Sequence, residues 1–299
     1  MGRIKYNNGK LKICQLTDIH LEADGDLIKY EKTLNLICEI LDNVKPDLIT
    51  ITGDLSWGQK TAEGICKLAE IIEERKIPWA PVLGNHDGNP GDSEIKTRED
   101  FAKLLLGYEY SHFKIGEDDV DGNGNYTVEV ENSNGEIDWV LYMLDSHQGD
   151  FFPSQLDWYR RTSSSYQQSH KELAFFHIPI PEYWEVWNFE YCRGVNNERE
   201  CVTRYNDGFF SAFARNGKMK GIFVGHDHIN DYEGTLHGIR LCYGRASGYQ
   251  CYGLEGFPLG ARIIELDENK DNFETSFYLE GGQTFSYGFA HKPQLTRKH

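Results

Sequence analysis

Five times along this 299-residue chain, an apolar, strand-like run ends directly on a short polar motif. The motifs are Asp18-Ile19-His20, Gly53-Asp54, Gly84-Asn85-His86-Asp87, His177 and Gly225-His226-Asp227-His228. In open α/β sheets, loops converge beyond the carboxyl ends of the strands, so residues distant in sequence meet there. The pattern therefore demands a fold that gathers five strand ends at one place. Asp18 and His20 are two residues apart, which puts both on one side of an extended segment, and His226 and His228 repeat that spacing. Gly53, Gly84 and Gly225 fit tight turns where backbone must approach a ligand closely.

The first hundred residues alternate strand and helix patterns. Strands are expected at Leu11–Thr17, Asp47–Thr52 and Pro78–Leu83. Helical spacing fills Leu27–Val44, ended by Lys45-Pro46, and Thr61–Arg75. This alternation predicts βαβ units and a parallel sheet. Beyond it, Asn125–Val130 and Ile137–Leu144 read as a hairpin, Pro153–Gln168 as a polar helix and Glu172–Phe176 as a strand. Pro179–Asn206 loses periodicity and is rich in aromatics. A helix at Gly208–Arg215 precedes strands at Lys220–Val224, Asp231–Leu236, Gly238–Tyr243, Ala261–Leu266 and Asn272–Leu279. With no repeat, linker or low-complexity tract, residues 1–299 read as one α/β domain in which two sheets pack together with helices outside.

The formal charge of −16 argues against a general binder of nucleic acid or of membrane surfaces, because no broad basic field attracts phosphate backbones. An anionic substrate remains compatible with it, since two divalent cations would reverse the potential locally. Seven cysteines form no C-x-x-C pair. Cys14, Cys38 and Cys66 lie in apolar patterns and read as buried thiols, and Cys192 and Cys201 read as free thiols rather than a local disulfide. No apolar leader segment and no stretch of about 18 apolar residues is present, so the expectation is a cytoplasmic protein with no membrane partner.

The motifs supply seven oxygen or imidazole donors and one spare histidine. That number suits two divalent ions. Carboxylate, amide oxygen and imidazole together favour Mn, Fe or Zn over Ca or Mg, and no thiolate is expected among the donors. One carboxylate must bridge the ions, and Asp54, alone in its motif, is the natural choice. Two ions so held lower the pKa of a bridging water and clamp the attacking and leaving oxygens of a phosphoryl group.

The order D-x-H, G-D, G-N-H-D, H, G-H-D-H, spread over residues 18–228, resembles the calcineurin-like metallophosphoesterase family. The resemblance implies a four-layer αββα sandwich of two mixed sheets flanked by helices. It implies that Asp18, His20, Asp54 and His228 hold one metal, and Asp54, Asn85, His177 and His226 the second. His86 would then stabilise the transition state or protonate the leaving oxygen, with Asp87 orienting it. The implied activity is hydrolysis of a phosphate mono- or diester, of a small molecule or phosphoprotein, by in-line attack of a metal-bridging hydroxide. More narrowly, Gln15–Leu21, Pro78–Asp87, Phe175–Tyr183 and Lys220–Tyr232 resemble intracellular phosphoesterases grouped beside the purple acid phosphatases. Those purple enzymes carry a tyrosine three residues after the bridging aspartate and lack the first-motif histidine. Here Trp57 stands at that position and His20 is present, so no tyrosinate-to-iron colour is expected.

Several readings stay open. Pro181–Tyr191 either covers an apolar edge or forms a lid whose Tyr183 stacks on an aromatic or nucleoside leaving group. Arg245 either grips a substrate phosphate or makes a structural ion pair. His112, His147, His170, His237, His291 and His299 read as surface or loop residues, with His147 the one that could line the pocket. A metal-bound scaffold without turnover is the alternative to an enzyme, and a nuclease is disfavoured by the acidic charge.

Overall fold

The computed structural model describes residues 2–88, 95–166, 169–205 and 208–295. In chain order the elements are β1 (Ile4–Lys5), β2 (Lys10–Leu16), α1 (Leu27–Val44), β3 (Leu48–Thr52), α2 (Thr61–Glu74), β4 (Trp79–Val82) and α3 (Arg98–Leu104). Next come β5 (Tyr126–Glu131), β6 (Ile137–Met143), α4 (Pro153–Ser165), β7 (Lys171–Phe175), α5 (Glu182–Phe189) and β8 (Cys192–Arg193). The chain closes with α6 (Phe209–Asn216), β9 (Met219–Val224), β10 (Glu233–Leu236), β11 (Ile239–Tyr243), β12 (Gly260–Asp267), β13 (Glu274–Leu279), β14 (Gln283–Phe285) and β15 (Phe289–His291).

Helix α1 starts where Asp26 accepts from the amides of Ile28 and Lys29, and it stops at Lys45, whose left-handed backbone precedes Pro46. Its buried stripe of Leu34, Ile37, Ile40, Leu41 and Val44 packs with the first sheet. The crossovers β2-α1-β3-α2-β4 make three parallel strands, and β12, β13 and β14 extend them antiparallel in the order β14-β13-β12-β2-β3-β4. The second sheet runs β1-β5-β6-β7-β9-β11-β10-β8-β15, with β6, β7, β9 and β11 mutually parallel at its centre. Both sheets are therefore mixed, as expected.

The period-2 alternation of these central strands divides the core. Leu141, Met143, Leu173, Phe175 and Phe223 join the cluster shared with the first sheet and with α1 and α2. Their alternates Tyr142, Ala174, Ile222 and Val224 join Leu156 and Tyr159 of α4, Tyr183 and Val186 of α5, and Phe213 of α6. Two sheets thus pack together with helices flanking them. Helix α5 lies inside the stretch where no period was visible, because exposed Trp184 stands beside buried Tyr183 and Val186 and blurs the apolar face. Residues 167 and 168 of the expected polar helix, and Asn206 at the end of the aromatic stretch, lie outside the described residues. No described helix is long and apolar enough to cross a membrane.

Candidate metal centre

The parallel strands β2, β3 and β4 of one sheet, and β7 and β9 of the other, end at a common edge. Asp18 and His20 follow β2, Asp54 follows β3, Asn85 and His86 follow β4, His177 follows β7, and His226 and His228 follow β9. Backbone hydrogen bonds stitch these ends together: Asp18 N to Gly53 O (3.2 Å), His20 N to Asp54 O (2.9 Å) and Gly225 N to His177 O (3.0 Å). Asp18, His20, Asp54 and His226 all have positive φ, between 46° and 77°. Non-glycine residues adopt that region at a cost of about 1–3 kcal/mol each, so the surrounding structure must impose it. Gly84 is required for a different reason: a Cβ there would lie 2.1 Å from Asp54 Oδ1.

The donor atoms fall into two groups that share Asp54 Oδ2. On one side His177 Nε2 lies 3.2 Å from Asp54 Oδ2 and 3.0 Å from Asn85 Oδ1, and His226 Nδ1 lies 3.3 Å from His177 Nε2. On the other, His20 Nε2 lies 3.4 Å from Asp54 Oδ2, and His228 Nε2 lies 3.4 Å from Asp18 Oδ1. Donors bonded to one ion at about 2.0–2.2 Å are separated by about these distances. The donors are also oriented from behind: His177 Nδ1 bonds the Thr52 carbonyl (2.8 Å) and His228 Nδ1 the Tyr252 carbonyl (3.2 Å), which leaves each Nε2 to face inward. His20 Nε2 is buried without a hydrogen-bond partner among the described residues. Burial alone would raise the Asp18 and Asp54 carboxyls, but His228 beside the first and His177 beside the second hold both below the usual carboxylate range. Two buried carboxylates, four imidazoles and an amide oxygen converging in this way fit divalent metal ions, and the residues present fit two.

His86 belongs to neither group. Its ring packs edge-on against Trp57 (centroids 4.1 Å apart) and against His20 (5.4 Å). Trp57, at the position of the purple enzymes' tyrosine, is therefore a wall of the site; its indole carries only an N–H donor.

Two expectations are corrected, for Asp87 and for the histidines, and two open readings are decided, for Tyr183 and Arg245. Asp87 does not orient His86: its Oδ1 accepts from the amides of Leu55 (2.9 Å) and Ser56 (3.4 Å), its Oδ2 from Gly84 (2.8 Å), and His86 Nδ1 has no hydrogen-bond partner among the described residues. Tyr183 is no lid: it is fully buried, and its hydroxyl donates to the carbonyls of Ile222 and Cys242. Arg245 is likewise buried, paired with Asp231, bonded to Pro258 O and laid over Phe257, so the ion-pair reading holds. His112 and His170 are buried rather than superficial, whereas His299 lies outside the described residues. His147 packs edge-on against Phe152 rather than against any donor residue.

Three residues at the centre escaped the sequence reading. Gln148 Nε2 donates to Asn85 O (2.6 Å), and Tyr252 stacks flat on His228 at 4.1 Å. Cys251 brings Sγ to 3.7 Å from His228 Nε2, which corrects the expectation that no thiol reaches the donors. The only signal for Cys251 and Tyr252 was the turn-rich run Gly248-Tyr249-Gln250 soon after the last motif. All seven cysteines are free thiols.

The chain is similar to several known proteins. A protein 29% identical over a gapped alignment of 317 positions, which covers 90% of this chain and 78% of the relative, is "Probable inactive purple acid phosphatase 14" of Arabidopsis thaliana. "Phosphatase DCR2" of Saccharomyces cerevisiae is 30% identical, with 95% of this chain and 56% of that protein covered. A dimetal phosphatase from Danio rerio shares the fold, with TM-score 0.57, 13% identity, and 93% and 99% of the two chains covered. The family model described as calcineurin-like phosphoesterase matches residues 11–230, and the chain belongs to that family.

Proposed function

We propose that the chain is an active dinuclear metallophosphoesterase that hydrolyses a phosphate mono- or diester by in-line attack of water. One observation carries this reading: two groups of donors share Asp54 Oδ2, while His86 stands beside them uncommitted. Asp18, His20, Asp54 and His228 would hold one ion, and Asp54, Asn85, His177 and His226 the other. Bound there, two divalent ions of Mn, Fe or Zn supply an activated water and positive charge for the phosphoryl oxygens. His86 stabilises the transition state or protonates the leaving oxygen. Trp57 packs that ring in place, and the Asp87 carboxylate fixes the loop that carries it. No covalent phosphoenzyme is needed, because the nucleophile is water. The net charge of −16 favours small phosphate esters or phosphoproteins over nucleic acid, and the seven free thiols suit a cytoplasmic, reducing setting.

The word "inactive" in the Arabidopsis relative's name supports a second reading, a metal-bound scaffold with no turnover. Metal analysis combined with hydrolysis of mono- and bis-p-nitrophenyl phosphate separates the two. The enzyme reading expects two ions per chain and metal-dependent release of p-nitrophenol. Asp54→Asn should lose both the paired ions and the activity. A chain loaded with two ions that cleaves neither ester would be the scaffold.

A further inference from the structure

The segment after β11 returns over the first motif. Ser247 N bonds Thr17 O (2.9 Å), Tyr249 N bonds Thr33 Oγ1 (3.0 Å), and Gln250 Nε2 bonds Glu22 O (2.8 Å). Pinned in this way, Cys251 faces the donors beside Asp18. Its Sγ and one ring nitrogen from each of His20 and His228 all lie within 4.8 Å of one another. Around one zinc with five donors, a nitrogen at about 2.05 Å and a sulfur at about 2.3 Å stand about 3.1–3.8 Å apart, for angles of about 90–120° between them. The observed separation from His228 Nε2 is 3.7 Å. A second observation is compatible with this: His20, one of the three residues so grouped, is buried, and its Nε2 has no hydrogen-bond partner among the described residues.

We propose that Cys251 is a thiolate ligand of the ion held by Asp18, His20, Asp54 and His228. The proposal rests on the two-ion reading above and deepens it by distinguishing the two positions. Binding exchanges the S–H bond for an S–metal bond and releases the proton to solvent; no oxidation state changes. The first ion then faces three anionic donors (Asp18, Asp54 and Cys251), and the second faces Asp54 with neutral Asn85, His177 and His226. Thiolate is a soft donor, so the first position selects zinc or iron over manganese, while the second keeps the borderline preference of an oxygen and imidazole set. The ion at the second position, with less anionic charge around it, is also the stronger Lewis acid.

X-ray absorption at the zinc edge of the full chain loaded with two zinc ions tests this without a variant. A sulfur scatterer at about 2.3 Å, close to half an equivalent per zinc, is expected. The cobalt-substituted protein should show a thiolate-to-cobalt charge-transfer band in the near ultraviolet. Cys251→Ser should lose that band while still binding two ions, and its preference for zinc over manganese at one position should fall about tenfold or more. Two zinc ions with only nitrogen and oxygen neighbours, or an unchanged cobalt spectrum in Cys251→Ser, would overturn the thiolate while leaving the two-ion centre standing. A chain that binds no stoichiometric metal would overturn both.

Discussion

The carboxylate of Asp87 takes backbone amides from two loops, Leu55 and Ser56 on one side and Gly84 on the other, while the adjoining His86 ring packs on Trp57. These neighbours should respond differently to substitution. Asp87→Ala leaves buried amides without an acceptor, at about 1–3 kcal/mol each, so it should lower unfolding stability by several kcal/mol. His86→Ala should leave stability and both ions in place but cut turnover by about 10²–10⁴-fold. Denaturant titration with metal analysis and kcat distinguishes them, and loss of an ion in His86→Ala would show that the ring is a ligand after all. His112 carries a separate consequence. Burial, aided by nearby positive charge including Lys114, pushes its imidazole down to about 4. The unfolded chain takes up that proton near pH 6.5 and the folded chain only near 4. The stability this site contributes is therefore whole above pH 6.5 and is lost as pH falls towards 4, by on the order of 2 kcal/mol. His112→Gln should flatten this part of the acid limb. Equal losses between pH 7 and pH 5 in both proteins would show that the group titrates normally.

Among the elements, α1 offers the clearest test. Lys45 ends it at φ 49° with an exposed side chain, a conformation that strains any residue with a Cβ. Lys45→Gly should stabilise the protein by roughly 0.5–1 kcal/mol, the relief of that strain less the added freedom of the unfolded chain. A lower melting temperature would mean that the lysine makes contacts outweighing its backbone cost. Helix α1 also shows what the sequence makes legible. Its period, its proline stop and the strands on either side are local properties, and the expected span of 27–44 is the observed one. The five motifs were legible for a related reason, because each stands where an apolar run ends. Cys251 was not, because its place depends on a tertiary return that brings Ser247 to Thr17, and no local period encodes it. Asp87 was misread because adjacency in sequence to His86 suggested a pair, whereas buried backbone amides made the stronger claim on its oxygens. Strands β8, β14 and β15, at two or three residues each, are too short to show any alternation.

At the scale of the whole molecule, the proposed ligands come from both sheets: Asp18, His20, Asp54 and Asn85 from the ends of β2, β3 and β4, and His177, His226 and His228 from the ends of β7 and β9. Bound ions would therefore tie one sheet to the other at the edge where four residues hold strained backbone and two buried carboxylates face each other's charge. The unfolded chain cannot reproduce an arrangement drawn from residues 18 to 228, so ion binding adds almost wholly to the folded state. An ion present at 1,000 times its dissociation constant contributes about 4 kcal/mol. For a chain of this length, with an unfolding entropy near 2.1 cal/mol/K per residue, that corresponds to roughly 5–7 °C in melting temperature. Chelation, which removes both ions, should lower the melting temperature by about twice that, roughly 10–14 °C; readdition of Zn or Mn should restore it, and Asp54→Asn should respond to neither. If chelation removes two ions per chain and the melting temperature stays fixed, the ions act on substrate alone, and the strand ends are held by the backbone bonds between the Asp18, Gly53, His177 and Gly225 loops.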